Sequence, residues 1–226
     1  MGGSTVKKER SHGETQEKVL HEVTATSTVN TYAFLRMAGR HALEDGIARE
    51  SGSFYEWMTA NIFAAFCLEA YLNHLCSKRF ECWKKLERKL SVEEKLCLLL
   101  ENLNQKPNFS CRPFQTLERI FWVRNQLAHG KTEHIEETRV KKLSQSESIE
   151  YPKADWQTLC NRKVAERFLT DAASVIKQLH EWAGLSTKLL FSLGEGSIYV
   201  KPISPFTTGV NKKGKGSGSK RRPATT

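Results

Sequence analysis

An all-α bundle of four to five helices is the fold class that the sequence predicts, and three observations carry it. Apolar residues recur at three- and four-residue steps in separate stretches, the period of a half-buried helix. Helix-start pairs stand ahead of two of those stretches, Ser53 with Glu56 and Ser91 with Glu94. No internal repeat and no sustained two-residue alternation competes with this pattern. With 226 residues, 39% apolar and 27% charged, the chain suffices for one core with tails.

Residues 1–27 are polar, four basic and four acidic side chains cancel there, and a disordered N-terminal segment is expected. The helical domain is placed at 28–185. Its first stripe is Tyr32, Leu35, Ala42, Leu43 and Ile47, stopped at Ser51-Gly52. The second is Phe54, Met58, Asn61, Ala65, Leu68, Leu72 and Leu75. A short helix follows Ser91 and ends at Asn104 to Pro107. Pro113 suits the first turn of the next, whose stripe is Phe114, Leu117, Phe121, Arg124 and Ala128. Residues 131–160 lack a period and read as a long connection with room for some strand. The last helix runs from about Asn161 to Ala183, with Val164, Phe168, Ala172, Val175, Leu179 and Trp182 on one face and Gly184 as its stop. Residues 186–206 form a C-terminal extension in which Gly196 to Pro202 suits one edge strand. Residues 207–226 are a basic, Gly/Ser-rich tail expected to be disordered.

The net charge is +10, and six of those charges belong to Lys212, Lys213, Lys215, Lys220, Arg221 and Arg222 in the tail. The folded part is thus only mildly basic, and the tail reads as a weak, sequence-blind attraction to RNA phosphates ahead of a solubilising end or a localisation-like basic cluster. The longest uncharged stretch of the most apolar region, Trp57–Leu68, is twelve residues, whereas a bilayer span needs about twenty. No apolar run follows the N-terminal charges, so neither a secretory signal nor a membrane association is expected. The six cysteines contain no CxxC pair, which points to reduced thiols packed as small hydrophobes in a cytoplasmic setting, with no metal and no cofactor. His134 among Glu133, Glu136 and Glu137 reads as a hydrated charge run.

One place breaks the helical logic. In Ile120 to Gly130, Arg124 lies on the apolar stripe between Phe121 and Ala128. A guanidinium there needs a partner, an interface or a cavity. Asn125 and His129, four residues apart, share one face, but Arg124 and His129 are five apart, roughly 140° around an ideal helix. Both reach one ligand only if the helix loosens near Gly130 or a second subunit supplies its own copy.

Arg124-Asn125-Gln126-Leu127-Ala128-His129, with the upstream helix Phe63 to Leu75, resembles the HEPN superfamily over roughly residues 28–185. The signature of that family is Arg, commonly a polar residue, three to five more residues and His, on a small helical bundle. Members that pair with a nucleotidyltransferase often carry Tyr two residues after the His, where this chain has Lys131. The resemblance implies a metal-independent endoribonuclease of toxin or antiviral-defence type, a symmetric homodimer with its motifs facing across a cleft, and an antitoxin or other defence-system partner protein. It also leaves room for a catalytically inactive bundle that binds RNA or nucleotides or serves in dimerisation. In the active reading His129 moves protons, Arg124 holds the phosphate, Asn125 orients the imidazole or touches phosphate, and Lys131 adds an RNA contact. Glu69, at the border of the upstream apolar face, either pairs with Arg124 or faces solvent. Asn73 and His74 read as structural.

Overall fold

The structure, a computed structural model, describes residues 20–138, 140 and 151–203. Among them the chain is mostly helical: α1 (Thr31–Ala48), α2 (Phe54–Arg79), α3 (Trp83–Leu86), α4 (Val92–Asn102), α5 (Leu117–His129), α6 (Asp155–Thr158) and α7 (Arg162–Trp182). α3 and α6 are single turns of four residues, so the long helices number five. Strand β1 (His21–Val29) pairs with β2 (Gly194–Pro202) in a two-stranded sheet. The described residues belong to two compact units, 28–195 and the paired segments on either side of it.

The bundle is organised by α2. Its Ala60, Ala64, Ala65, Cys67, Leu68, Tyr71, Leu72, Leu75 and Cys76 are all buried, more than one face's worth. It packs against α1, α7, α5 and α4. Small residues permit that closeness: a Cβ on Gly46 of α1 would stand 2.6 Å from the Trp57 ring. α7 buries Phe168, Ala172, Val175 and Leu179, and its N-cap Asn161 accepts from the Val164 amide. Burying a phenylalanine, valine or leucine of this face contributes about 1.5–3 kcal/mol each, so this face, not helix propensity, holds the bundle. Gly184 follows at φ +73°, a backbone conformation that favours glycine.

Two start signals behave differently. At Ser91 the reciprocal pair forms, with the hydroxyl accepting from the Glu94 amide and the Glu94 carboxylate accepting from the Ser91 amide. At Ser53 it does not: the hydroxyl donates to the Gly46 carbonyl at 2.9 Å, tying α2 to the end of α1.

The all-α expectation omits the sheet. Residues 21–27, expected to be part of a disordered segment, lie in β1. Thr26 meets Ser197 at 2.7 Å through their hydroxyls, and the Ile203 amide donates to Leu20, so the strands run antiparallel. The sequence of β1, HEVTATSTV, is rich in β-branched residues; its polarity, which suggested disorder, reflects exposure on both faces. In the 131–160 connection the described residues contain α6 and no strand. The tail 207–226, with Lys212, Lys213, Lys215, Lys220, Arg221 and Arg222, lies outside the described residues. No helix is long and apolar enough to cross a membrane among the described residues.

Candidate functional site

α5 buries Leu117, Ile120, Phe121 and Val123. This core face is rotated from the expected stripe, so Ala128 is exposed and Arg124 stands at the border of the buried face, one quarter exposed. α2, packed alongside, presents Glu69 there because Leu68 and Leu72 face the core. Arg124 Nη2 donates to Glu69 Oε2 at 3.0 Å, and Arg124 Nη1 donates to Asn125 Oδ1 at 3.0 Å. Lys95 of α4 reaches the other carboxylate oxygen, Nζ to Oε1 3.4 Å, with its side chain only 4% exposed. Glu69 therefore serves two cations from two different helices.

These residues line a cleft of about 460 Å³ together with Asn73 and Phe121. Arg88, Glu87 and Glu93 complete its rim, so the cleft as a whole is balanced in charge. Two buried polar atoms at this place have no hydrogen-bond partner among the described residues: Arg124 Nε and Asn73 Oδ1. One is a donor and the other an acceptor, and orphaned buried groups of this kind are costly.

His129 is the last residue of α5 and is exposed, as are Asn125 and Lys131. It does not line the Arg124 cleft. The structure thus brings Arg124, Asn125 and Glu69 together and leaves His129 outside the cleft, one turn beyond Asn125 at the end of α5. Lys95 is the residue that sequence reasoning missed. Its signal was a lysine beside Leu96 on the apolar face of α4, where a charge needs a buried partner.

Other ionisable groups serve the fold. Asp171 of α7 is gripped by Arg112, whose Nε and Nη2 donate at 2.7 to 3.2 Å, and it accepts from the Thr116 hydroxyl. His180 Nε2 lies 3.0 Å from the Ser186 carbonyl, to which it can only donate, and Nδ1 pairs with the Tyr71 hydroxyl at 2.9 Å. Burial pushes the Tyr71 phenol up, as it does the thiols of Cys67 and Cys76, to about 12, and of Cys160, to about 11. Those three cysteines are inert packing groups, while Cys82, Cys97 and Cys111 are exposed. Among the described residues no group of three or more His, Cys, Asp or Glu could hold a metal ion. Comparison with protein-family models, curated proteins and solved structures found no match to this chain.

Proposed function

We propose that the chain is a metal-independent endoribonuclease of HEPN type that works as a homodimer in the cytoplasm, in a toxin or antiviral-defence setting with a controlling partner protein. The observation that carries this reading is the Arg124 guanidinium in the wall of the cleft, positioned by Glu69 and Asn125. The Arg124 side chain stays one quarter exposed while Glu69 and Asn125 fix its guanidinium, the arrangement that holding a phosphate oxygen requires. Cleavage by the 2′-hydroxyl of RNA on its own phosphate needs such a clamp plus a proton acceptor and donor. An exposed imidazole at the end of the same helix suits the proton steps. The partner subunit's His129 completes the set, because within one chain His129 does not line the Arg124 cleft.

The test is RNA degradation by the purified chain in EDTA. Expected are products ending in 2′,3′-cyclic phosphate, lost in His129→Ala. Products with 5′-phosphate that require Mg²⁺, or a chain monomeric by light scattering while fully active, contradict it.

A specific observation favours the second reading, a catalytically inactive bundle that binds RNA or nucleotides or serves in dimerisation. Glu69 already neutralises Arg124, and the cleft carries as many carboxylates as cations. Full RNA binding with no cleavage, unchanged by His129→Ala, selects it.

A further inference from the structure

The other side of α5 carries a larger cleft, about 670 Å³, bounded by α5, α6 and α7. Trp122 is in its wall and remains 37% exposed, although a tryptophan inside a small bundle is worth more buried. Arg119 of α5 and Arg167 of α7 line the same cleft, and both are exposed. Neither forms an ion pair among the described residues, even though Glu118 and Asp155 are in the same wall. Two uncommitted guanidinia, two uncommitted carboxylates and one partly exposed indole are therefore gathered at one concavity.

Each part has a counterpart in one ligand chemistry. An indole face stacks an unpaired base, guanidinium forks take phosphate oxygens, and carboxylates accept from the exocyclic amines of a base edge. The volume is in the range of small-ligand sites, about 300–1,000 Å³. A second cleft of about 360 Å³ shares Trp122 and Asp155 and adds Gln126 and Trp156. Arg119, Trp122, Gln126 and His129 follow one another in steps of three and four, so they lie along one face of α5. The run from Arg119 to His129 is about 15 Å long, room for more than one nucleotide.

We infer that the Trp122 cleft is a nucleotide site, in which an unpaired base stacks on Trp122 and its phosphate is held by Arg119 and Arg167. This site is separate from the Arg124 cleft and does not depend on cleavage there. Its ligand chemistry has two sources, a free nucleotide or one unit of a single-stranded RNA.

The test reads binding alone. Adenosine 5′-monophosphate is titrated onto the full chain by calorimetry, and a fluorescein-labelled oligoadenylate with 2′-O-methyl groups, which cannot be cleaved by its own hydroxyl, by anisotropy. At least one probe is expected to bind, and Trp122→Ala and the Arg119→Ser/Arg167→Ser double variant each weaken it about tenfold or more. For the oligomer, the double variant also flattens the salt dependence by about 1.4 in slope. Binding of the monophosphate marks a free-nucleotide site and binding of the oligomer alone marks a strand site, each supporting the proposal when the variants weaken it. Binding of neither probe, or binding that ignores both variants, overturns it. If Trp122→Ala unfolds by circular dichroism, Trp122→Phe and the exposed arginine pair supply the same decision. Because no turnover is read, failure here leaves the endoribonuclease reading standing, and an inactive His129 leaves this site standing.

Discussion

Asp171 and Glu69 each sit on a core helix and each meet an arginine, yet they do opposite things. Asp171 is 4% exposed and fully served, by a two-pronged Arg112 and the Thr116 hydroxyl. Its arginine is half exposed and spends its charge on tying the segment before α5 to α7. Glu69 is 21% exposed and divided between Arg124 and a nearly buried Lys95, and two buried atoms of cleft-lining residues, Arg124 Nε and Asn73 Oδ1, have no hydrogen-bond partner among the described residues. The difference teaches that a buried arginine pair is structural when its hydrogen bonds close on themselves. It is a candidate for chemistry when capacity is left over at a concavity.

The largest expected effect breaks the comparison at its arginines. Arg124→Ala should lower RNA cleavage about 10²–10⁴-fold, the size of a lost phosphate clamp or acid–base group, while Arg112→Ala leaves cleavage per folded molecule unchanged. Arg124→Lys should stay badly impaired because an ammonium lacks the planar fork. Rates in EDTA on equal folded concentrations decide; equal losses in both alanine variants would erase the distinction.

Next come the carboxylates. Glu69→Ala strands the Lys95 ammonium without its partner and should cost about 3 kcal/mol, the low end for a broken buried pair because Glu69 is partly wet. Lys95→Met, which removes the buried charge itself, should be near neutral or stabilising. Urea titrations measure both, and equal destabilisation by the two would show that Lys95 acts by packing alone.

Asp171→Ala is expected to cost less, about 1–3 kcal/mol, chiefly through the buried Thr116 hydroxyl left without an acceptor; Arg112 is solvated once released. Thr116→Val in the Asp171→Ala background should then recover part of the loss.

The smallest effect is a pH dependence. Burial, followed by the nearby Lys78 and His180, holds the His74 imidazole below its ordinary value of 6.5. The unfolded chain therefore binds the proton first, so stability falls as pH drops through the unfolded value and the loss is complete below the lowered folded one. His74→Phe should flatten the urea midpoint between pH 7.5 and 5. An unchanged slope would assign it elsewhere.

Much of the bundle was legible because its cause is local. The α7 face, its Asn161 cap and the Gly184 stop depend on residues within a few positions of one another. The Ser91 pair is equally local, whereas Ser53 opens α2 as expected but forms no reciprocal pair, because the Gly46 carbonyl, seven residues back, takes its hydroxyl. β1 was hidden for a similar reason: its strand identity depends on β2, more than 160 residues away, and a ribbon exposed on both faces has no alternation to read.

The site divides in the same way. By itself the sequence determined that an arginine, an asparagine and a histidine lie on one helix, that Arg124 and His129 diverge by roughly 140°, and that a guanidinium beside Phe121 needs a partner. Only the packing of α2, α4 and α5 decided that the partner is Glu69, that Lys95 shares it, and that a donor and an acceptor remain unspent. Spacing along a helix fixes angles within that helix; which carboxylate stands opposite is set by how neighbouring helices bury their apolar faces, a property of the whole core.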